Sequence, residues 1–212
     1  MTKGYTLYGR PGSGSSVCEA VLALSGLPYD IIDIERWGDS APPAELLAIN
    51  PLGQIPTLVL PDSSVMTESA AITLYLADLA PHANLAPLTT DALRARYLRW
   101  MVYLAANSYM TVLRIYYPDR YSTHDDGGAG VKAAASERNA FEWSVFADAL
   151  GEGPYILGNQ ISAVDLYAAM LVTWEENHNA FYRRHPNVKR LCKAVAEHPV
   201  IAPIWQRHGI VV

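Results

Sequence analysis

Two short runs of strand-forming residues, Tyr5-Thr6-Leu7-Tyr8 and Tyr29-Asp30-Ile31-Ile32-Asp33-Ile34, are held apart by one glycine-rich loop and one helical repeat. That spacing limits how the chain can begin to fold. The first run stops at Gly9, Pro11, Gly12 and Gly14, and Val17, Val21, Leu22 and Leu24 then recur at helical spacing up to Gly26. The interval leaves room for the crossover helix that a parallel pair of strands needs, so the chain is predicted to open with a βαβ unit.

A polar stretch through Pro42 and Pro43, then Ala44-Glu45-Leu46-Leu47, leads to Asn50-Pro51-Leu52-Gly53-Gln54-Ile55-Pro56, where Pro56 opens the apolar run Thr57-Leu58-Val59-Leu60. Pro61-Asp62-Ser63-Ser64 makes a turn before Val65-Met66, and a helical run from Ala70 to Leu79 follows. The predicted order is β-α-β, a connection, then β-β-α. Residues 81–90 carry Pro81 and Pro87 and no periodicity, and are expected to link two domains, 1–80 and 91–212. After the linker the pattern is helical throughout. Leu93, Tyr97, Met101, Leu104, Ser108 and Val112 fall three and four apart in one long helix from Asp91 to about Tyr117, ended by Pro118. A loop is expected from His124 to Gly130, its glycines allowing adjoining helix ends to move, followed by helices over 131–150, 163–176 and 188–197 and a short piece near 203–207. Ser162-Ala163-Val164-Asp165, flanked by Ile161 and Leu166, carries a capping box and a hydrophobic staple. The fold class is α/β followed by all-α.

Half of the residues are hydrophobic and 17% are charged, which suits buried cores and disfavours disorder. The net charge is -5, and the acid excess lies in the first eighty residues, where nine carboxylates face three bases. The rest carries twelve against thirteen, so no basic stripe is available for a phosphate backbone and no nucleic acid partner is expected. No run approaches the roughly 18 apolar residues of a membrane span, and the N-terminal sequence lacks a signal peptide's apolar run. A cytoplasmic protein with no membrane partner is expected. Cys18 and Cys192 form neither a Cys-x-x-Cys pair nor a metal motif, which leaves both as structural thiols, Cys18 being the one whose place near a helix start favours a thiolate.

Three segments, in their order and spacing, resemble the glutathione transferase family, and the likeness covers the whole chain. Residues Asn50 to Leu58 are similar to the family's turn before its third strand, Thr67-Glu68-Ser69-Ala70-Ala71-Ile72 to its acid-serine motif, and Ile161 to Leu166 to its capping box. The resemblance implies a thioredoxin-like N-terminal domain that binds glutathione and an all-helical C-terminal domain that contributes an electrophile pocket. It also implies a cytoplasmic homodimer acting in detoxification, with glutathione as co-substrate and no metal; a hydrophobic content of 50% leaves surface for a second copy. A cis bond is implied before Pro56, which X-Pro bonds adopt far more readily than others. Ile55 would then offer its N–H and C=O to the cysteinyl residue of glutathione as a strand edge does. Glu68 and Ser69, with Gln54 beside them, would hold the glutamyl end, where a helix start favours a carboxylate. A plain N-cap is the alternative role for Ser69.

The implied chemistry is activation of a thiol. A free thiol of pKa about 8.5 must come down by about one to two units, roughly 1.4 to 2.8 kcal/mol, and one hydrogen bond to a charged group supplies about 1.5 to 3. One hydroxyl at a helix start is therefore sufficient without a metal. Aligned through Pro11-Gly12, Ser13 matches the serine of serine-type members, and Gly14 falls where a bacterial branch carries its cysteine. Counted back from Gly26, Tyr8 falls where tyrosine-type members carry theirs; Ser15 also remains a candidate, and Ser16 reads as a cap. By resemblance, Asn107 and Met110 on the long helix and Trp174 on the capped helix match positions of a pocket between the domains. The expected function is attack of glutathione thiolate on a small hydrophobic electrophile, with thiol-dependent isomerase or dehalogenase activity as variants. Two competitors stand beside it: a non-catalytic glutathione or ligand-binding protein, suggested by the glycine at the cysteine position, and thiol-disulfide exchange through Cys18.

Overall fold

The computed structural model describes residues 4–38 and 40–210. Strands β1 (Tyr5–Gly9) and β2 (Tyr29–Asp33) pair in parallel, Leu7 opposite Ile31, with α1 (Ser15–Leu24) crossing between them. Strand β3 (Thr57–Val59) runs antiparallel to β1, Leu58 opposite Leu7, and β4 (Val65–Met66) runs antiparallel to β3. The sheet order is β2-β1-β3-β4, and α3 (Ser69–Leu79) completes a thioredoxin-like half. Along β1 the buried Tyr5, Leu7 and Gly9 alternate with half-buried Thr6 and Tyr8, the period of two that turns one face onto the helices. Leu7, Val17, Val21, Leu58, Ile72 and Leu76 are sealed in that core, and each such side chain contributes about 1.5 to 3 kcal/mol by leaving water. Helix α2 (Ala44–Ile49) occupies the connection between β2 and β3. Only Leu46 of its residues is buried, so no periodicity marks it in the sequence.

The helix predicted over 91–117 is α4 (Arg94–Tyr103) and α5 (Met110–Tyr116) joined without a break by a π-helical stretch, Leu104–Tyr109. Tyr97, Met101, Leu104, Ser108 and Val112 are buried as the pattern requires, whereas Leu93 is exposed. Helix α6 (Gly128–Leu150) begins earlier than residue 131, so Gly128 and Gly130 belong to a helix rather than to a loosening loop. A side chain on Gly128 would meet the Asp119 carboxylate, which accounts for glycine at this helix start.

Helix α7 (Ala163–Val172) ends short of residue 176, so Trp174 lies beyond it. Helix α8 (His178–Arg184) escaped the sequence pattern because Phe181 alone is buried along it; Asn177 starts it, its Oδ1 accepting the Ala180 N–H at 2.9 Å. Helices α9 (Pro186–Ala196) and α10 (Ile201–Arg207) follow. Every residue of α7 is buried, and it packs on α1, α3, α4 and α9 at the centre of the molecule. Its capping box is formed by Asp165, whose Oδ2 accepts from the Ser162 N–H at 2.8 Å and the Ser162 hydroxyl at 2.6 Å. Asp165 Oδ1 accepts from the Ile156 N–H at 2.8 Å. Leu166 is sealed, and Ile161 packs on the same core. Among the described residues no helix is long and apolar enough to cross a membrane.

Candidate functional site

The loop between β1 and α1 uses glycines to permit approaches that side chains would block. A Cβ on Gly9 would lie 2.5 Å from Ser15 Oγ. In its absence Ser15 folds back on the loop, its Oγ accepting the Arg10 N–H and donating to the Arg10 C=O, both at 3.1 Å. Ser13 Oγ donates to the same carbonyl at 2.7 Å, and the two hydroxyls are 2.9 Å apart. That carbonyl has two lone pairs and also receives the Ser13 N–H at 3.2 Å. The Ser13 proton can therefore turn away without leaving the carbonyl unsatisfied. Ser13 is half-buried, while Ser15 is buried behind it. Ser16 is not a cap: α1 starts at Ser15, and the Ser16 hydroxyl is turned inward, buried and without a partner among the described residues. Tyr8 lies within β1 opposite Ile32 and Thr57, on the face away from Leu7, and its hydroxyl bonds neither serine.

A Cβ on Gly14 would lie 2.7 Å from the hydroxyl of Tyr109, which thus fills the space into which a side chain at position 14 would project. Tyr109 stands at the end of the π-helical stretch, edge-on to Trp174 with ring centroids 5.2 Å apart. Burial, reinforced by Cys18, Tyr117 and Glu68 and opposed by Arg10, pushes its pKa up to about 12. It keeps its proton, and among the described residues its hydroxyl makes no hydrogen bond. Nothing local in the sequence marks Tyr109, because the contact joins distant segments.

The turn before β3 is braced by buried Asn50, whose Nδ2 donates to the Gln54 C=O at 2.9 Å and to Thr57 Oγ1 at 3.0 Å. Its Oδ1 accepts the Leu52 N–H at 3.1 Å. The Ile55–Pro56 bond is cis. Pro56 is buried, Gln54 is exposed, and half-buried Ile55 keeps its N–H and C=O outside the sheet, unpaired among the described residues. Glu68 is exposed at φ +68° just before α3. The first main-chain bond of α3 runs from the Ile72 N–H to the Glu68 C=O at 2.9 Å, so the N–H groups of Ser69, Ala70 and Ala71 face forward. Ser69 does not cap this helix; its hydroxyl pairs with that of Tyr167, on α7, at 2.9 Å.

Cys18 is sealed beneath this region, Sγ 3.8 Å from the Ser69 C=O, and burial pushes its thiol up to about 12. Sealed from solvent and with its thiolate disfavoured by burial, Cys18 is poorly placed to act as the nucleophile for disulfide exchange. Asn107 spends its amide on the Tyr103 C=O at 3.2 Å, and Met110 opens α5 half-buried. Trp174 reaches the serine loop, its Nε1 donating to the Gly12 C=O at 3.2 Å. A cavity of about 230 Å³ lies among α5, α6 and α8, lined by Trp174, Trp143, Asn139 and Glu175 but by neither Asn107 nor Met110. It is walled by the helical half alone and is not the expected space between the halves. Among the described residues no three His, Cys, Asp or Glu side chains converge on a metal-binding position.

Residues 15–79 match the family model for the glutathione S-transferase N-terminal domain, and residues 119–205 match that for the glutathione S-transferase C-terminal domain. The uncharacterized GST-like protein YncG of Escherichia coli K12 is 32% identical over 206 residues, spanning 97% of this chain and 98% of that one. Glutathione S-transferase GstA of Escherichia coli O157:H7 is 23% identical over 210 residues, 96% of this chain and 98% of its own length. In fold, a glutathione transferase homolog from Sulfitobacter, solved with bound glutathione, superposes with a TM-score of 0.88 at 24% identity, over 99% of this chain and 100% of that one. Matched in both halves and along the whole length of a relative, the chain belongs to the glutathione S-transferase family.

Proposed function

We propose that the protein is an active glutathione transferase in which the Ser13 hydroxyl stabilises the glutathione thiolate for attack on a small hydrophobic electrophile. The observation that carries this is the serine cluster at the head of α1. Ser13 is half-buried there, and its proton is free to turn because Ser15 and the Ser13 N–H keep the Arg10 C=O satisfied. Glutathione would run from the start of α3 to the start of α1. Its glutamyl carboxylate fits the N–H groups of Ser69, Ala70 and Ala71, with Glu68 and Gln54 beside its ammonium, and its cysteinyl backbone fits the unpaired Ile55 edge. The Sulfitobacter homolog holding glutathione in the same fold supports this co-substrate. Asn107, Met110 and Trp174 are proposed to face the electrophile.

The test is a titration of thiolate absorbance with glutathione saturating, in the parent and in Ser13→Ala, Ser15→Ala, Tyr8→Phe and Tyr109→Phe. Ser13→Ala is expected to raise the apparent thiol pKa by about one to two units, since the lost bond to a charged group is about 1.5 to 3 kcal/mol and one unit is about 1.4. If another variant moves the titration and Ser13→Ala does not, the role passes to that residue. A second reading, binding without catalysis, is favoured by Gly14; glutathione binding with no conjugation of chlorodinitrobenzene would establish it. We also propose a cytoplasmic homodimer, for which Leu98 and Val102, exposed one turn apart on α4, offer apolar surface. A monomer mass in light scattering, constant across micromolar concentrations, would sink it.

A further inference from the structure

The peptide group of Gly12 is gripped from both ends by the helical half. Its N–H donates to His208 Nδ1 at 3.2 Å, and its C=O accepts from Trp174 Nε1 at the same distance. Gly12 is exposed and sits at φ +71° with no side chain of its own, and while Ser13 and Ser15 brace the Arg10 peptide, the side chains that bond the Gly12 peptide come from His208 and Trp174. The fixing comes from outside, one residue away from the Ser13 hydroxyl.

His208 is suited to this by its protonation state. An amide N–H can only donate, so Nδ1 must be bare and the ring proton must sit on Nε2. Nε2 lies 2.7 Å from Glu19 Oε2, to which it donates, and the imidazole is sealed from solvent. Glu19 is on α1 and also accepts from Arg207 at 2.8 Å, while Arg207 makes a two-pronged pair with Asp33 at the end of β2, at 2.6 and 2.7 Å. One imidazole thus ties the loop to the body of the helix whose head it forms.

We propose that His208, with Trp174, is a positioning residue for thiol activation: the two hold the Gly12 peptide and thereby set the direction of the neighbouring Ser13 hydroxyl. This rests on the transferase reading above. Loss of the grip leaves the seats for the glutamyl and cysteinyl parts of glutathione intact and disturbs only the sulfur end, so thiol ionisation suffers more than binding.

The experiment compares His208→Ala, His208→Gln and Trp174→Phe with the parent. In the free protein, nitrogen NMR of the imidazole is expected to show the Nε2–H tautomer; an Nδ1–H form or an imidazolium at neutral pH overturns the proposal without reference to glutathione. With glutathione saturating, His208→Ala and Trp174→Phe are expected to raise the thiol pKa by about one unit, a tenfold loss of thiolate below it, while the glutathione Kd changes less than about threefold. His208→Gln is expected to restore most of the parent titration, since its Oε1 can accept the Gly12 N–H while its amide donates to Glu19. An unmoved titration in Trp174→Phe and His208→Ala, even with a lowered Tm, shows a clamp that serves stability alone and refutes the inference. If His208→Ala does not fold, Trp174→Phe and His208→Gln decide it. A parent that ionises bound glutathione no better than free glutathione brings down the transferase reading itself, a result separable from the tautomer.

Discussion

Asp165 sets burial against hydrogen bonding, and the sign of the outcome can be measured. Its carboxylate is fully buried, yet it accepts three bonds from Ile156 and Ser162 at 2.6 to 2.8 Å. Burial outweighs those donors and pushes the carboxyl up to about 6, against an ordinary value near 3.9. A carboxyl that holds its proton more tightly when folded stabilises the fold fully below about pH 4, and that contribution is lost as pH rises through about 6. The loss is about two units at about 1.4 kcal/mol each, or about 3 kcal/mol in all, of which about 2 falls between pH 4.5 and 7.5. Asp165→Asn is neutral throughout and escapes this loss, but its NH2 cannot accept, so one buried N–H loses its partner at about 1 to 3 kcal/mol. The substitution should therefore be destabilising at pH 4.5 and close to neutral at pH 7.5. Urea unfolding of both proteins at one protein concentration, followed by tryptophan fluorescence, gives the gap at each pH. A gap that stays constant, or that grows as pH rises, would refute the reasoning and show that the three donors hold the carboxyl at or below its usual range.

Ser69→Ala should weaken glutathione binding by about tenfold through loss of an anion contact, and should cost about 1 to 3 kcal/mol of stability because the buried Tyr167 hydroxyl loses its partner. Unchanged affinity in calorimetry would make the serine a tether between the halves and no more. Cys18 and Cys192, both buried with thiols pushed up to about 12, should resist iodoacetamide until the protein unfolds. Rapid labelling of the folded protein at neutral pH would contradict their burial.

What the sequence made legible was local. The βαβ opening follows from alternation in Tyr5 to Tyr8 and helical spacing from Val17 to Leu24, and the capping box follows from a hydroxyl and a carboxylate three residues apart. Ser16 misled because a serine near a helix start resembles a cap, whereas the actual start at Ser15 turns it into the core. Helices α2 and α8 left no trace because each buries a single side chain. Tyr109, Tyr167 and His208 were not legible as neighbours of the proposed site. Each meets the thioredoxin-like half across a long stretch of chain, the Gly12 to His208 bond joining residues 196 apart, and a lone tyrosine or histidine has no local pattern that announces such a partner.

The capping box therefore reaches further than the stability of one helix. Tyr167 on α7 meets the Ser69 hydroxyl, and Trp174, two residues past the helix end, meets the Gly12 carbonyl. Ser69 lies in the proposed seat for one end of glutathione, and Gly12 adjoins the proposed seat for its sulfur. An α-helix advances about 1.5 Å and turns about 100° per residue, so a start displaced by one residue would carry the Tyr167 hydroxyl well outside hydrogen-bond range of Ser69. Asp165 fixes that start by joining Ser162 to Ile156, and the Ala163 N–H adds a bond to the Leu85 C=O at 2.8 Å. The register of one buried helix thus spaces the two ends of the proposed glutathione site, and a motif that reads as purely structural in the sequence becomes part of how that proposed site is assembled.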